Sequence, residues 1–324
     1  ENKEAIIKDA LYRSKTLEQK TTIEALFKNV RESSEEYNQF TATDKEGDPF
    51  TERIVILEEE GHIYKNRLNE NEEFVSVTST FNAFKGEEED FEFNKAMGNI
   101  FDSILEAQIL GLKDDALYSN LENNPFTPLE LLGDTKEEQQ KQIDKIFNGL
   151  QGLISGITSR DEVLLPQVIV HSIAKDKDNF FNIAGAIDLL VVTPEGKLKV
   201  IDLKTSRDSV TSEKYDMAWP IEGTLLNEAS KKAGRKEQEK LSKKQKHTLQ
   251  LAVYSAILEN MGFEMDHEHP YFTINFKIDV KGERKEQKYQ KSFTSEGKNA
   301  ERVEVKNTEL NQYPSSIQER LASY

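Results

Sequence analysis

"GAIDLLVVTPEGKLKVIDLKTS", residues 185–206, is the most informative segment of the chain. Val, Ile and Leu dominate both halves, and a Pro-Glu-Gly turn separates them, so the stretch predicts two paired β-strands. Three charged residues interrupt the apolar pattern: Asp188, Asp202 and Lys204. Charged side chains in such a hairpin cost free energy unless they are solvated, paired or bound to a metal. These residues therefore either face water or carry out chemistry.

The charges of the second predicted strand share one face. Alternate residues of a strand point to the same side, so Asp202 and Lys204 are neighbours, whereas Ile201 and Leu203 form the opposite, apolar face. Antiparallel pairing can bring Asp188 beside them. Two carboxylates at close range repel each other unless a cation lies between them, and a site of oxygen ligands suits Mg²⁺. The alternative is a solvated strand face without chemistry.

A metal site of this kind would support hydrolysis of a phosphodiester. The ion would lower the pKa of a bound water and stabilise charge on a phosphoryl oxygen. Lys204 would orient that water or neutralise charge in the transition state. We therefore expect Asp202→Ala and Lys204→Ala to abolish cleavage and to leave the fold intact.

A second group of candidate residues lies in a predicted amphipathic helix over residues 243–263. Gln250 and Tyr254 are four positions apart and share one helical face. His247 lies about one turn before Gln250 and could contact a phosphate, although such a histidine is more often a plain surface residue. Taken alone, each of these residues is unremarkable.

The rest of the chain predicts an α/β or α+β fold, in which a mixed central β-sheet is flanked by helices. Residues 1–45 form a predicted helical extension, with one or two helices over residues 4–38, and residues 46–324 form a predicted single domain. Residues 207–240, which include Trp219, are polar and predict irregular structure. Further elements are predicted as strands at 51–81, 163–206, 271–280 and 286–294, and as helices near 92–111, 134–157 and 315–324.

Charge and composition restrict the possible functions. The chain lacks cysteine, which excludes disulfides, zinc-thiolate sites and cysteine nucleophiles. The net charge of −16 counts against a nucleic-acid partner, although a binding groove needs only local positive potential. Such potential would come from the basic segment, which we define as residues 230–247. Its candidate phosphate contacts are Lys231, Lys232, Arg235, Lys236, Lys243, Lys244, Lys246 and His247.

Three motifs together resemble the PD-(D/E)XK nuclease superfamily, in its RecB-like or phage exonuclease-type branch. The family pattern is G-x-(I/V)-D, then (I/V)-(I/V)-D-x-K-T, then Q-x-x-x-Y on a helix. Here the three motifs are Gly185 to Asp188, Val200 to Thr205, and Gln250 to Tyr254. Residues 61–81 resemble the hairpin that opens many phage-encoded members. The resemblance covers about residues 50–295.

Two positions depart from the family pattern. The segment "GNIFDSILE" resembles the motif G-x-x-x-H-x-x-L-E but carries Asp102 in place of the metal-binding histidine. Aspartate is also an oxygen ligand and would keep a metal site viable. Gln167 occupies a position where relatives often carry glutamate, which weakens the case for a further ligand on that strand.

The resemblance implies a restriction-endonuclease-like core and a role for each motif residue. Asp188, Asp202 and the backbone carbonyl of Leu203 would bind Mg²⁺, for which Mn²⁺ could substitute, and Asp102 would be an accessory ligand. Lys204 would activate the attacking water. Gln250 and Tyr254 would orient the site and the DNA backbone.

The expected protein is therefore a metal-dependent deoxyribonuclease, phage-encoded and active in DNA processing, recombination or degradation. We expect no membrane span, because the sequence has no apolar run of sufficient length, and a location in the cytoplasm, or in the host cytoplasm or virion if the chain is viral.

Two other functions fit the same sequence. The fold could be a catalytically inactive module with a structural or packaging role, in which Asp102 and Gln167 are signs of drift. The chain could also be a protein-interaction domain that uses residues 1–40 and the basic segment. A working metal site should make thermal stability depend on Mg²⁺ or Mn²⁺, whereas a scaffold should not respond.

Overall fold

The computed structural model describes the chain in ranges separated by gaps. These ranges are residues 2–28, 55–58, 63–66, 69–78, 91–176, 179–206, 215–220, 238–268, 271–277, 279–281, 290–292 and 300–305. The predicted short helix at residues 315–324 lies outside them. None of the helices within these ranges combines the length and the apolar character that crossing a bilayer requires.

Six α-helices lie in the described ranges. They are α1 (Asn2–Arg13), α2 (Leu17–Lys28), α3 (Phe91–Ile109), α4 (Asp114–Glu122), α5 (Lys136–Ser155) and α6 (Lys243–Asn260). The sequence predicted all of them except α4. A nine-residue helix between two others shows too few turns for its apolar period to stand out.

The described strands number twelve. They are β1 (Val55–Glu58), β2 (Ile63–Asn66), β3 (Asn69–Ser76), β4 (Val163–Asp176), β5 (Asn179–Val192), β6 (Leu198–Ser206), β7 (Tyr215–Pro220), β8 (Gln238–Ser242), β9 (Tyr271–Lys277), β10 (Asp279–Lys281), β11 (Gln290–Ser292) and β12 (Ala300–Val305).

Eight of these strands form one mixed sheet. Its order is β1-β2-β3-β5-β6-β9-β12, and β4 pairs with β5. The pairs β3–β5 and β6–β9 are parallel, and the other pairs are antiparallel. The predicted mixed sheet is confirmed, and so is the predicted β5–β6 hairpin.

Helices cover the sheet through two apolar cores. Leu190, Val192 and Val200 pack in the core that includes residues of α1, α2 and α6. Leu189 and Ile201 pack in the core that includes residues of α3, α4 and α5. Neighbouring residues of β5 therefore belong to opposite cores, as the alternation of a strand buried on both faces requires. The predicted flanking of the sheet by helices is confirmed.

The predicted irregular structure over residues 207–240 is wrong for the part that the structure describes, residues 215–220 and 238–240. Trp219 lies in β7, which pairs antiparallel with β8. The letters of β8, "QEKLS", carry no β-branched residue and little apolar character, so local propensity favoured a loop. Pairing with a distant segment decided the structure here.

The two N-terminal helices pack against the sheet. Ile7, Ala10, Ile23 and Phe27 are buried in the same core as the inner face of β5 and β6. The apolar positions that the sequence offered to a partner protein are thus largely buried within the chain. The domain boundary at residue 45 lies outside the described residues and stays a prediction.

Polar contacts tie these helices to the turn between β5 and β6. The Thr16 hydroxyl donates to the Pro194 carbonyl at 2.6 Å, and the Thr22 hydroxyl donates to the Gly196 carbonyl at 2.9 Å. Gly196 has φ of +77°, and a Cβ there would lie 2.9 Å from Thr22 Oγ1. The turn therefore requires glycine, both for its backbone conformation and for the approach of α2.

Gln19 is the central residue of this contact. Its side chain is fully buried. The Nε2 group donates to the carbonyls of Asp161 and Val192, at 2.6 and 3.3 Å. The Oε1 atom accepts from the backbone amides of Lys15 and Thr16, at 2.9 and 3.3 Å. One amide side chain thus joins the α1–α2 turn to the strand that carries Asp188.

We expect Gln19→Ala to lower the free energy of unfolding by about 1–3 kcal/mol, because it leaves buried backbone groups without partners. Urea unfolding measures this change. Thr21→Ala is the matched control, since its exposed hydroxyl bonds within α2, to the Leu17 carbonyl. An equal effect in both variants would contradict the anchoring role of Gln19.

Candidate active site

The charged residues of the β5–β6 hairpin meet where the two strands separate. The last pair of the described register is Leu189 with Ile201, and Asp188 and Asp202 are the next residues along the two strands. Lys204 Nζ lies 2.5 Å from Asp202 Oδ1. The backbone amide of Leu203 donates to Asp188 Oδ2 at 2.7 Å. The structure thus brings Asp188, Asp202 and Lys204 together as the alternation of the strands suggested.

Asp202 has one satisfied oxygen and one unsatisfied oxygen. Its side chain is 2% exposed. Oδ1 is paired with Lys204, whereas Oδ2 is buried and has no hydrogen-bond partner among the residues that the structure describes. A buried carboxylate oxygen without a partner is costly. A divalent cation would satisfy it.

The donor set fits a hard divalent cation. Carboxylate oxygens of Asp188 and Asp202, with the nearby Leu203 carbonyl, are ligands of the type that Mg²⁺ prefers. Within the described ranges, however, no group of three or more histidine, aspartate or glutamate side chains is placed to hold a metal ion. The residues therefore fit the ion by chemistry, and the position of Asp102 as a third ligand stays a prediction.

Asp102 lies on α3 and is electrostatically linked to the hairpin. The pKa of Asp102 is raised to about 7, chiefly by burial. The Lys204 charge opposes this rise, and the charges of Asp202 and Glu106 add to it. The pKa of Asp188 is raised well above its ordinary value by burial, with an opposing effect of Lys204 and further raising effects of Asp102 and Asp202. The three aspartates thus form one interacting set around one lysine.

Lys204 is the positive charge of this set. Burial lowers its pKa, but Asp202, Asp188 and Asp102 raise it, and the net effect is a pKa above the ordinary value. Lys204 is therefore protonated at neutral pH. In this arrangement it can donate hydrogen bonds and stabilise negative charge, but it cannot accept a proton from water.

Glu106 was not among the predicted site residues. It lies four residues after Asp102 on α3, one turn along the same helical face, and it raises the pKa of Asp102. The signal was present in the sequence, because Glu106 is the last residue of "GNIFDSILE" and the i, i+4 spacing placed it beside Asp102.

Gln250 and Tyr254 lie inside the fold. Gln250 is 5% exposed and Tyr254 is 2% exposed. The Tyr254 hydroxyl donates to the Ala186 carbonyl at 2.9 Å and is hydrogen-bonded to the Gln250 side chain. Their burial is consistent with a role in orienting the site. It does not give either residue the exposed position that a contact with the DNA backbone needs.

Gly185 makes this approach of α6 possible. A Cβ at Gly185 would lie 2.7 Å from Tyr254 Cε1 and 3.1 Å from Val77 Cγ2. Contacts this short do not occur without displacement of a neighbour, so the ring of Tyr254 can cross β5 only where no side chain projects. The glycine of the G-x-(I/V)-D motif therefore has a packing reason in this chain.

Gln167 lies opposite Asp188. The β4–β5 register pairs Pro166 with Leu189 and Val168 with Ile187, which places Gln167 and Asp188 between those pairs. Gln167 has φ of +50°, uncommon for a residue other than glycine. Its Nε2 group is buried with no hydrogen-bond partner in the described parts of the chain. The positive φ and the unsatisfied donor beside the charged set make Gln167 a candidate for a functional position.

The predicted phosphate contacts are only partly described. Lys231, Lys232, Arg235 and Lys236 lie outside the described residues. Lys243, Lys244 and Lys246 belong to the first turn of α6. His247 is 7% exposed and thus buried, which corrects its expected surface position. Two residues later, Leu249 is the first residue of α6 in the apolar core.

One family model matches part of the chain. Residues 78–222 match the family model of the PD-(D/E)XK nuclease superfamily. A solved structure described as "Crystal structure of SSO0001" is similar at 14% identity, over 70% of this chain and 82% of that chain, with a TM-score of 0.23. A TM-score that low supports no conclusion about this chain. No curated protein matches the chain.

Proposed function

We propose that the chain is a metal-dependent nuclease that hydrolyses DNA phosphodiester bonds, because residues 78–222 match the model of the PD-(D/E)XK nuclease superfamily. The observation that carries this proposal is the grouping of Asp188, Asp202 and Lys204 at the end of the β5–β6 hairpin. The buried, unsatisfied Oδ2 of Asp202 supports a cation as the missing partner.

Asp188 and Asp202 would hold the ion, with the Leu203 carbonyl and Asp102 as further ligands. When bound, Mg²⁺ or Mn²⁺ would lower the pKa of an attacking water and stabilise charge on the phosphate. The chain's own residues hold these ligands in place: Leu203 donates to Asp188, and Lys204 donates to Asp202.

Lys204 would act as a fixed positive charge and hydrogen-bond donor. It is partly exposed, with 24% of its side-chain surface accessible, so a phosphate can reach it. Its raised pKa keeps it protonated, which suits stabilisation of the additional negative charge of the transition state. This role is narrower than the activation of water that the family resemblance implies.

A second candidate function is an inactive nuclease-fold module with a structural, packaging or protein-interaction role. Two observations favour it: no group of three acidic or histidine ligands is assembled among the described residues, and Gln167 replaces a carboxylate beside Asp188. Against it, Asp188, Asp202 and Lys204 are all present within the matched residues, and a decayed site would be expected to lose one of them.

A cleavage assay decides between the two functions. Linear duplex, circular duplex and single-stranded DNA, together with RNA, are incubated with the protein in Mg²⁺, Mn²⁺ or EDTA. We expect metal-dependent cleavage of DNA. The same ions should raise the melting temperature in the absence of DNA, because a ligand that binds the folded state stabilises it. Absence of both effects would favour the inactive module.

The finer assignments rest on the sequence resemblance. They are membership of the RecB-like or phage exonuclease-type branch, a phage origin, a role in DNA processing, recombination or degradation, and a location in the cytoplasm or virion. The pattern of cleavage on linear and circular DNA tests the exonuclease assignment, since an exonuclease requires an end.

The basic segment gives a salt-dependence prediction. If its residues bind phosphates, each neutralised phosphate releases counterions, and the slope of log affinity against log salt should flatten by about 0.9 for each phosphate that is no longer bound. We expect joint replacement of Lys231, Lys232, Arg235 and Lys236 by glutamine to flatten the slope by several units. Cleavage at saturating DNA should persist.

The matched control replaces four exposed lysines elsewhere by glutamine: Lys20, Lys113, Lys136 and Lys141. Both variants change the net charge by the same amount, so an equal change of slope would show a general electrostatic effect and would contradict a binding role for the basic segment.

A further inference from the structure

One edge of β5 lacks a strand where the site begins. β5 pairs with β4 from Asn179 with Asp176 to Val192 with Val163. On its other edge β5 pairs with β3 at Ile183 and Ala184, and with β6 from Leu189 onward. Between the β3 pairing and the β6 pairing, residues 185–188 of β5 have no partner on the edge opposite β4 among the described strands. Asp188 is the last residue of this interval.

Two tyrosine hydroxyls occupy the place of the missing strand. The backbone amide of Ala186 donates to the Tyr64 hydroxyl at 2.9 Å, and the Tyr254 hydroxyl donates to the Ala186 carbonyl at 2.9 Å. A buried backbone group without a partner is costly. The two tyrosine hydroxyls satisfy the amide and the carbonyl of Ala186, which neither β3 nor β6 reaches. We call Tyr64, Ala186 and Tyr254 the tyrosine clamp.

The two sides of the clamp come from separate parts of the chain. Tyr64 lies on β2, in the hairpin before the matched family region, and Tyr254 lies on α6, after that region. Each tyrosine is 2% exposed, so neither hydroxyl is open to exchange its bond for one to water. The strand between them is therefore fixed from two directions.

The clamp acts on the strand two residues before Asp188. Residues i and i+2 of a strand share a face and a nearly fixed separation, so a displacement at Ala186 moves the carboxylate of Asp188. The opposing carboxylate of Asp202 is held separately, by Lys204. The Leu203 amide of β6 also donates to Asp188, so the distance between the two carboxylates depends on this bond, on the contact of Lys204 with Asp202 and on the position of β5 that the clamp sets.

We propose that Tyr64 is a positioning residue, which acts through the Ala186 amide to hold Asp188 at the separation from Asp202 that one divalent cation requires. The proposal rests on the metal-dependent function proposed above. It adds a residue outside the three sequence motifs and outside the region matched to the family.

The test is Tyr64→Phe, which keeps the ring and removes the hydroxyl. Tyr118→Phe is the matched control: Tyr118 is also buried, at 4% exposed, and its hydroxyl makes one described hydrogen bond, to Gln139 Oε1 at 2.6 Å, in the helical layer away from the clamp. Circular dichroism and thermal unfolding establish that both variants fold and how far the stability of each decreases.

The decisive measurement is the dissociation constant of Mn²⁺, obtained by calorimetry without DNA. We expect Tyr64→Phe to weaken Mn²⁺ binding about 10- to 100-fold, the usual effect of removing a group that orients a metal ligand, and Tyr118→Phe to leave it unchanged. In steady-state cleavage, Tyr64→Phe should lower kcat at a fixed Mn²⁺ concentration and leave the KM for DNA unchanged, because the tyrosine does not touch DNA.

Two outcomes would overturn the proposal. If Tyr64→Phe weakens Mn²⁺ binding no more than Tyr118→Phe does, the Tyr64 hydroxyl has a structural role alone. If Tyr64→Phe raises the KM for DNA with an unchanged Mn²⁺ dissociation constant, it acts on the substrate and not on Asp188. Failure of the unsubstituted protein to bind Mn²⁺ or to cleave DNA would instead reject the proposed function, and the positioning role with it.

Should Tyr64→Phe fail to fold, Tyr254→Phe tests the same clamp from the carbonyl side. It too should weaken Mn²⁺ binding relative to Tyr118→Phe, and an unchanged dissociation constant would overturn the clamp.

Discussion

Asp202→Asn should reduce cleavage by about a thousandfold or more and leave the fold intact. The substitution keeps the shape of the side chain but removes the charge that would bind the metal and that pairs with Lys204. A bound metal ion typically stabilises the transition state by several kcal/mol, and each 1.4 kcal/mol corresponds to about tenfold in rate. The initial rate of DNA cleavage at saturating Mg²⁺ measures the effect, and circular dichroism confirms the fold.

Asparagine is a better test than alanine because Asp202 is buried. The sequence suggested a group that faces the site, whose removal would barely change stability, but the side chain is 2% exposed. Alanine would leave a cavity and would remove the direct partner of the half-buried Lys204. Asp266→Asn is the matched control, since Asp266 is also buried, at 6% exposed, and lies at the opposite end of β6, where its amide bonds to the Leu198 carbonyl. Equal cleavage rates in both variants would remove Asp202 from the site.

Lys204→Met should abolish cleavage and should also make the metal-free protein more sensitive to alkaline pH. The Lys204 charge lowers the pKa of both Asp102 and Asp188, against burial, which raises them. Without Lys204, both pKa values rise further. The folded protein then keeps protons that the unfolded chain has released above about pH 4.

The direction of the pH effect follows from proton binding. Where the folded state binds more protons than the unfolded state, the free energy of unfolding falls as pH rises. In the unsubstituted protein the contribution of Asp102 to this fall extends from about pH 4 to its raised pKa, about 7, and the raised pKa of Asp188 adds a contribution of the same sign. In the Lys204→Met protein the fall in the free energy of unfolding should extend to higher pH. The difference in this free energy between the two proteins should therefore be larger at pH 8 than at pH 5, by at least about 1 kcal/mol.

Urea unfolding in EDTA at the two pH values measures this difference. Lys197→Met is the control. Lys197 directly precedes β6 and pairs with the exposed Glu264, so it lies at the opposite end of the strand from Asp202 and Lys204. Its effect should be small at both pH values. A Lys204→Met effect that is equal at pH 5 and pH 8 would show that Lys204 does not stabilise the ionised aspartates.

Local patterns in the sequence predicted the hairpin and the grouping of its charges. The alternation of apolar and charged residues placed Asp202 beside Lys204, and the Pro-Glu-Gly turn set the antiparallel pairing that brings Asp188 near. The four-residue spacing of Gln250 and Tyr254 placed them on one face of α6. These features depend on contacts between residues close in sequence, for which strand and helix periods are sufficient.

Other features depend on contacts that no local pattern encodes. Tyr64 and Ala186 are 122 residues apart, and their hydrogen bond exists because β3 and β6 leave a gap on one edge of β5. The burial of His247 depends on how α6 packs against the sheet. The strand character of Trp219 depends on pairing with β8. In each case the tertiary arrangement overrides or supplements what the local residues favour.

The contacts of α1 and α2 with the β5–β6 turn also set the order in which this chain can fold. Thr16, Gln19 and Thr22 bond to residues 173 to 178 positions later. On a ribosome that adds about 5–20 residues per second, those partners emerge roughly 10–35 s after the helices themselves. A 12-residue helix is marginal in water on its own. The α1–α2 segment therefore reaches these native contacts only after residues 192–196 have been synthesised, and until then its apolar residues are available to chaperones.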